Sequence, residues 1–314
     1  MGKVLFGVDV GGTTVKLGLF DAEGNVQDKW EIPTRTEDKG SHIIEDIAGS
    51  ILVKMKQENL TKEDVLGVGM GVPGPVKADG TVLKAANLGW GVFNPSTELS
   101  ELLGVPVKTG NDANVAALGE MWKGGGQGYS DMVAVTLGTG VGGGVILGGR
   151  MLSGSNGAGG EIGHIHLDDN EEEQCGCKNK GCLEQYASAT GIVRLAKKKL
   201  AATSKETVLR KEEVSAKSIW DAVKAGDELA IEVAEMYGEY LGKGLAAVAD
   251  VVNPEIFVIG GGVSKAGRVV IDYMEPYFKK YVFHGAGNAK FALAKLGNDA
   301  GIFGAAKLIL DEVK

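Results

Sequence analysis

Apolar positions along this chain follow two rhythms, and the switches between them outline its elements. KVLFGVDV and VKLGLFD are short, mostly apolar runs of strand length, and the turn AEGN leads into a third run, VQDKWEIP. Over residues 41–58 the rhythm changes, with Ile43, Ile44, Ile47, Ile51 and Met55 recurring at helical spacing. VLGVGMGV is again a buried-strand run, closed by the breaker PGP. GVPVKTGNDANVAALGEMW reads as a strand, a loop at 109–111 and a helix starting near Asp112, where an acidic residue suits the positive end of the helix dipole.

The pattern then restarts. DMVAVTLGTG and GVGGGVILGGRML form a second strand pair joined by glycines, echoing the pair at 3–20. Helical patterns follow over about 183–200 and 228–250, then the strand EIFVIGG and a final amphipathic helix, AGIFGAAKLILDE. Two halves that each open with strand, Gly/Thr turn and strand predict a duplicated α/β architecture of two domains with a cleft between them. Residues 1–115 plus 300–314 are expected to form the first domain and 116–299 the larger second one.

Composition sharpens this reading at one point. Of 314 residues 50 are glycine, about twice the ordinary share. They cluster at GVDVGGTT, GVGMGVPGP, TLGTGVGGGVILGG, GSNGAGGEIGH and FVIGGGVS, where they permit backbone to approach a ligand. A collagen would need a strict three-residue period, and a disordered chain would lack the intervening Val, Ile and Leu runs. The apolar and charged fractions, 44% and 24%, are those of a globular protein. A net charge of −8 argues against nucleic acid or an anionic membrane as partner. The opening apolar run is too short for a signal peptide or a membrane span, and Phe6 stands where myristoylation would want Ser or Thr. A cytoplasmic protein with reduced thiols is expected.

The turns in DVGGTTVKLG and TLGTGVGGG can aim backbone N–H groups and Thr hydroxyls at phosphate oxygens, although tight hairpin turns need no ligand to be glycine-rich. Asp9 ends the first strand, where a carboxylate can hold Mg²⁺ through water. Gly138, Gly140 and Gly143 have G-x-G-x-x-G spacing, but a dinucleotide fingerprint requires a helix next, and GVILGGRML reads as strand. No G-x-x-x-x-G-K-[ST] string occurs, which excludes a P-loop.

All three cysteines fall in one segment, EIGHIHLDDNEEEQCGCKNKGCLE, with two of the four histidines. His164 with Cys175, Cys177 and Cys182 is a Cys₃His set suited to tetrahedral zinc; the competing reading is three buried structural cysteines and an unrelated histidine. His166 is the other histidine within reach. Glu161 and Glu184 bracket this segment. A glutamate is ordinarily a solvated surface group, but carboxylates flanking a metal loop can accept hydrogen bonds from vicinal sugar hydroxyls. Asp112 reads equally as a helix cap or as a reactive group on a strand-to-helix loop.

Taken in order, DVGGTTVKLGL, GVPGPV, NDANVAALGE, TLGTGVGGGVILGG, GAGGEIGH, CGCKNKGCLE and VIGGGV resemble the ROK family of repressors, open reading frames and kinases, over residues 9–263. The E-x-G-H followed by C-x-C-x4-C-x-E is the specific part. The resemblance implies an actin-like ATPase (ribonuclease H-like) fold, with the C-terminal helix returning to the first domain and a homodimer formed through the second. It implies ATP-dependent phosphorylation of glucose at the 6-hydroxyl, with Asp112 as general base. Asn87, Asn111, Asp112, Glu161, His164 and Glu184 are then expected around the sugar. Asp9, Gly11, Gly12, Thr13, Thr14 and Lys16, with Gly138, Thr139 and Gly140, are expected at Mg-ATP, and Gly260, Gly261 and Gly262 near the adenosine. His164, Cys175, Cys177 and Cys182 become the structural Zn²⁺ site, the motif favouring His164 over His166. The family's repressors carry an N-terminal helix-turn-helix; this sequence opens directly on the first phosphate strand, so a kinase is expected.

One position departs from the pattern: Lys178 follows the second cysteine where the family often has glycine, and a small local change is expected there. Three other readings stay open. The sugar could be fructose, mannose, allose or N-acetylmannosamine, decided near residues 71–76 and Asn87. The donor could be polyphosphate. A non-catalytic sugar sensor would need neither Asp112 nor the two glycine turns. If only sugar groups hang on the metal loop, chelation should weaken sugar binding more than nucleotide binding.

Overall fold

The three strands expected at the N-terminus form as β1 (Val4–Val10), β2 (Thr14–Asp21) and β3 (Val26–Pro33), a meander in which Asp9 lies opposite Lys16. They belong to a computed structural model that describes residues 2–211 and 213–313. Met1, Glu212 and Lys314 lie outside the described residues, including the outermost positions of the expected domains. A single turn, α1 (Glu37–Gly40), precedes α2 (Ile43–Gln57). Ile43, Ile44, Ile47, Ile51 and Met55 of α2 are all buried, in one cluster with Val8, Val10, Leu17 and Val68 of the strands. Each such side chain contributes about 1.5–3 kcal/mol, which is why the helical spacing holds this segment on the sheet.

β4 (Val65–Val72) pairs in parallel with β1, and β5 (Val107–Asn111) in parallel with β4. Between them lies α3 (Pro95–Leu103), which the sequence pattern did not predict. It is a short helix started by Asn94, whose side chain accepts from the Ser96 and Thr97 N–H groups, with Pro95 at its first position. The first sheet therefore runs β3-β2-β1-β4-β5. α4 (Asp112–Lys123) begins where expected, on the residue after β5.

The second half repeats the plan. β6 (Met132–Leu137), β7 (Val141–Leu147) and the two-residue β8 (Arg150–Met151) follow in order. The helical pattern over 183–200 resolves into two pieces, α5 (Glu184–Ala187) and α6 (Ala189–Ala202). Ser188 breaks them apart: it takes an extended conformation and its hydroxyl accepts from the Gly191 N–H, capping α6. α7 (Ala216–Lys224) and the long α8 (Glu228–Val252) come next, then β9 (Ile256–Gly260), α9 (Val269–Tyr281), β10 (Lys290–Leu293) and α10 (Ala300–Glu312). The second sheet runs β10-β9-β6-β7-β8. Counted from its other edge it has the same order as the first, with β9 parallel to β6 and β10 parallel to β9.

The chain separates into two compact units: residues 1–130, 144–160 and 295–314, and residues 131–143 with 161–294. The first unit thus reaches past residue 115, where the sequence pattern placed its end, and includes 144–160. The reason is α10. This helix packs along α4 and against β1 and β4, and its Ile302, Ala306 and Ile309 share a buried cluster with Leu5 and Phe20. α4 is held by that helix and cannot leave with the second unit.

Candidate active site and metal centre

In the first unit, β1 and β2 are joined by a turn over residues 11–13. The Gly11 N–H donates to the Thr14 carbonyl at 3.0 Å, and Thr34 ties the turn down through its hydroxyl to the Gly11 carbonyl and its N–H to the Thr13 carbonyl. Gly12 and Thr13 stay exposed at the tip. Asn87 flanks this turn: a Cβ placed on Gly12 would lie 3.7 Å from its Nδ2. Asp9 sits at the base of the turn and its carboxyl is pushed up to about 6, by burial first and then by the Asp112 charge, with the Lys16 ammonium partly offsetting both. The Lys16 Nζ also donates to the Asn298 carbonyl at 3.1 Å.

Asp112 opens α4, and the residue that caps the helix is Asn111. Its Oδ1 accepts from the Asn114 N–H at 3.1 Å, while its Nδ2 donates to the Gly74 carbonyl and to Asp112 Oδ1, both at 3.0 Å. Asn111 is therefore committed to cap and loop, and its offer to a sugar is smaller than the sequence suggests. The Ala113 N–H also donates to Asp112 Oδ1, at 2.8 Å. One carboxylate oxygen is thus fixed twice, an arrangement that orients the group.

In the second unit, β6 ends in the turn 138–140, closed by the Gly138 N–H to the Gly140 carbonyl at 3.0 Å. The strand β7 follows, which agrees with rejecting a dinucleotide fingerprint there. The glycines after β9 stand beside this turn. Gly261 has φ +84°, and a Cβ on it would lie 2.5 Å from the Leu137 carbonyl oxygen, so only glycine fits where the two strand ends meet. The residues expected at phosphate and adenosine in this unit are thus brought together.

The metal loop gathers as expected. One donor atom each from His164, Cys175, Cys177 and Cys182 lies within 4.8 Å of all the others. Cys177 and Cys182 Sγ are 3.6 Å apart and Cys175 Sγ is 3.7 Å from His164 Nδ1. Tetrahedral zinc with bonds near 2.3 Å to sulfur sets its ligands about 3.8 Å apart, so the set fits. His166 is turned away, its Nδ1 to the Lys180 carbonyl and its Nε2 to Asp169, each at 2.8 Å. Lys178 has φ +72°: the chain keeps the left-handed backbone that a glycine would adopt there, with a lysine in it.

With Nδ1 of His164 among the thiols, its Nε2 is 4.0 Å from Glu161 Oε2. Glu184 lies on the other side, its Oε1 3.6 Å from His164 Nδ1 and accepting from Cys175 Sγ at 2.8 Å. The Glu184 side chain is 22% exposed and that of Glu161 60%, so Glu184 is a built part of the loop and Glu161 stands in solvent.

Sequence reasoning missed what anchors this loop. Between His164 and Cys175, Asp168 accepts from the hydroxyls of Tyr186 and Tyr240, both at 3.1 Å, and the two rings stack with centroids 3.8 Å apart. Glu171, with a side chain only 3% exposed, accepts from the Tyr186 hydroxyl at 2.7 Å and pairs with Arg194. The Arg194 guanidinium holds its carboxyl down at about 2. A run of three glutamates ordinarily marks a solvated face; only the tertiary contact with α5 and α6 singles out Glu171.

The ROK family model matches residues 5–312. The chain is 43% identical over 310 residues to the glucokinase of Halalkalibacterium halodurans, covering 96% of this chain and 94% of that one. To the glucokinase of Thermotoga maritima it is 35% identical, with 98% of each chain covered. Among solved structures it is similar to the ROK family glucokinase of Streptomyces griseus in complex with glucose and AMPPNP, with TM-score 0.73, 35% identity, and 97% of this chain and 98% of that one covered. The two mixed sheets with their repeated order have the actin-like ATPase arrangement of that fold class. With the family model spanning nearly the whole length, this chain belongs to the ROK family.

Proposed function

We propose that the protein is an ATP-dependent sugar kinase that phosphorylates glucose at the 6-hydroxyl. The observation that carries this reading is Asp112, a carboxylate held by the Asn111 amide and the Ala113 N–H at the start of α4, in a chain similar to glucokinases over its full length. Asp112 takes the proton of the 6-hydroxyl as that oxygen attacks the γ-phosphorus; the P–O bond to the β-phosphate breaks and ADP leaves with the electron pair. Glu161, Glu184 and His164 Nε2 accept from the sugar hydroxyls, and Asn87 adds an amide. The turns at 11–13 and 138–140 offer N–H groups and the hydroxyls of Thr13, Thr14 and Thr139 to the phosphates. Asp9 and Lys16 add one charge of each sign, and the glycines at 260–262 border the nucleoside. Mg²⁺ bound with ATP would neutralise phosphate charge, and Asp9 would hold it through water.

The Cys₃His set would hold a structural zinc ion. Burial, and then the Glu184 carboxylate, push the Cys175 thiol above its ordinary range, so a thiolate there needs a cation beside it. Among the described residues no helix is long and apolar enough to cross a membrane. A cytoplasmic homodimer, paired through the second unit, completes the proposal. The experiment that tests it measures ADP release with Mg²⁺ and ATP across a panel of hexoses. Glucose-stimulated turnover is expected to exceed that with fructose, mannose, allose or N-acetylmannosamine. Preference for another of these would move the substrate, and no stimulation by any sugar would overturn the kinase reading.

A further inference from the structure

The metal loop reaches further than the sugar groups. Within the second unit it continues directly into the segment that braces the turn at 138–140. Glu184 follows the ligand Cys182 by two residues and packs its Oε1 2.8 Å from Cys175 Sγ, while its Oε2 accepts from the Val141 N–H at 3.4 Å. A Cβ on Gly140 would fall 2.5 Å from that same Oε2, so the turn and the carboxylate are in direct contact. One helical turn later, where Ser188 breaks the helix, the Ala189 N–H donates to the Gly138 carbonyl at 2.8 Å and Thr190 Oγ1 donates to the Thr139 carbonyl at 2.7 Å. Ser188 is fully buried, and its Oγ lies 2.9 Å from Thr190 Oγ1. Thr139, Gly140, Cys175, Glu184, Thr190 and Arg194 line one pocket of about 340 Å³.

Each carbonyl of a tight turn that is held from outside removes a way for the turn to flip its peptide planes. Gly138 and Gly140 have no side chain to resist such flips, so their geometry depends on these external donors. Two carbonyls, at Gly138 and Thr139, are held by the start of α6, and the Val141 N–H by Glu184.

We propose that Thr190 is a positioning residue for the phosphate turn, and that through Glu184 and the segment 188–190 the metal loop fixes the nucleotide side of the site as well as the sugar side. This rests on the reading of 138–140 as a phosphate turn. It revises the expectation that chelation would act mainly on sugar binding.

The test uses Mg-ADP affinity, which needs no turnover, together with the Michaelis constants for ATP and glucose. Thr190→Val keeps the shape of the side chain and removes the donor; one hydrogen bond lost corresponds to a weakening of about two- to tenfold. Mg-ADP affinity and the Michaelis constant for ATP are expected to worsen by that factor, the constant for glucose to stay within about twofold, and Thr190→Ser to restore both. Wild-type affinity for Mg-ADP in Thr190→Val, or an equal rise in both constants, would overturn the role of Thr190. In a second arm, zinc is removed from the wild-type protein by a zinc-selective chelator at fixed Mg²⁺. Mg-ADP affinity is expected to fall; an unchanged affinity in the metal-free, folded protein overturns the coupling. If metal removal unfolds the chain, the Thr190 variants decide alone. A wild-type protein that binds Mg-ADP without sugar-stimulated turnover would instead overturn the proposed function and leave this inference standing.

Discussion

The Asn111 side-chain amide donates to Asp112 Oδ1 at 3.0 Å while its own oxygen caps the helix that Asp112 begins. Cap and carboxylate are therefore joined through one side chain, and the carboxylate cannot rotate without giving up its bonds to the Asn111 amide and the Ala113 N–H. Asp112→Asn preserves size and the helix start but cannot accept a proton. The variant is expected to lower kcat by on the order of 10²- to 10⁴-fold, with glucose affinity within a few-fold of wild type, measured by ADP release and by calorimetric titration. A variant that turns over normally would remove Asp112 from the chemistry.

Asp9 predicts a pH dependence. Its folded value of about 6 lies above the ordinary 3.8, so the folded state holds this proton more tightly than the unfolded chain does. Stability therefore falls as pH rises from about 4 through 6, by roughly 3 kcal/mol for a gap of this size, and the penalty persists above pH 6. Asp9→Asn should raise Tm at pH 7.5 and leave it nearly unchanged at pH 4, while abolishing turnover. A Tm difference with the opposite pH trend would place the titrating group elsewhere.

Glu171 behaves in the opposite sense. Arg194 and the Tyr186 hydroxyl favour its ionised form, so its contribution is present above about pH 4.5 and is lost as pH falls toward 2. Glu171→Gln removes the nearer and more buried of two carboxylates on the Arg194 guanidinium, Glu173 remaining at 3.3 Å, and is expected to cost about 3 kcal/mol, read from urea unfolding at pH 7. The same comparison at pH 3 should show a smaller gap. An equal cost at both pH values would mean that packing, and not the ion pair, is what the substitution disturbs.

Lys178 carries a backbone strain that glycine would relieve. A side chain in the left-handed region costs about 1–2 kcal/mol, and glycine gives back part of that as added freedom in the unfolded chain. Lys178→Gly is expected to stabilise the protein by about 0.5–1 kcal/mol and to leave the Michaelis constants unchanged. Destabilisation would show that the lysine side chain makes a contact outweighing its backbone conformation.

The strands and the glycine turns were legible in the sequence because buried strands are written in runs of apolar residues and their turns in glycine. α2 and α8 were legible through their helical spacing. α3 was not, since its apolar positions are few and its start is set by Asn94 and Pro95. The break at Ser188 was hidden for a similar reason: one capping serine interrupts a pattern that is helical on both sides. The cluster of His164, Cys175, Cys177 and Cys182 was readable because three thiols and an imidazole have few other uses at that spacing. The Asp168, Glu171, Tyr186, Arg194 and Tyr240 network was not, because charged and phenolic groups far apart in the chain become one hydrogen-bonded set only after the helices pack.

The two sheets share not only an order but a register. Asp9 on β1 stands beside Gly71 on β4, and Thr136 on β6 stands beside Gly260 on β9, at the matching address of the second copy. The same hairpin plan thus holds an acid in one sheet and an alcohol in the other. The repeated layout therefore sets an anion at the base of one turn, where burial raises its hold on a proton, and leaves the matching, exposed position of the other sheet uncharged.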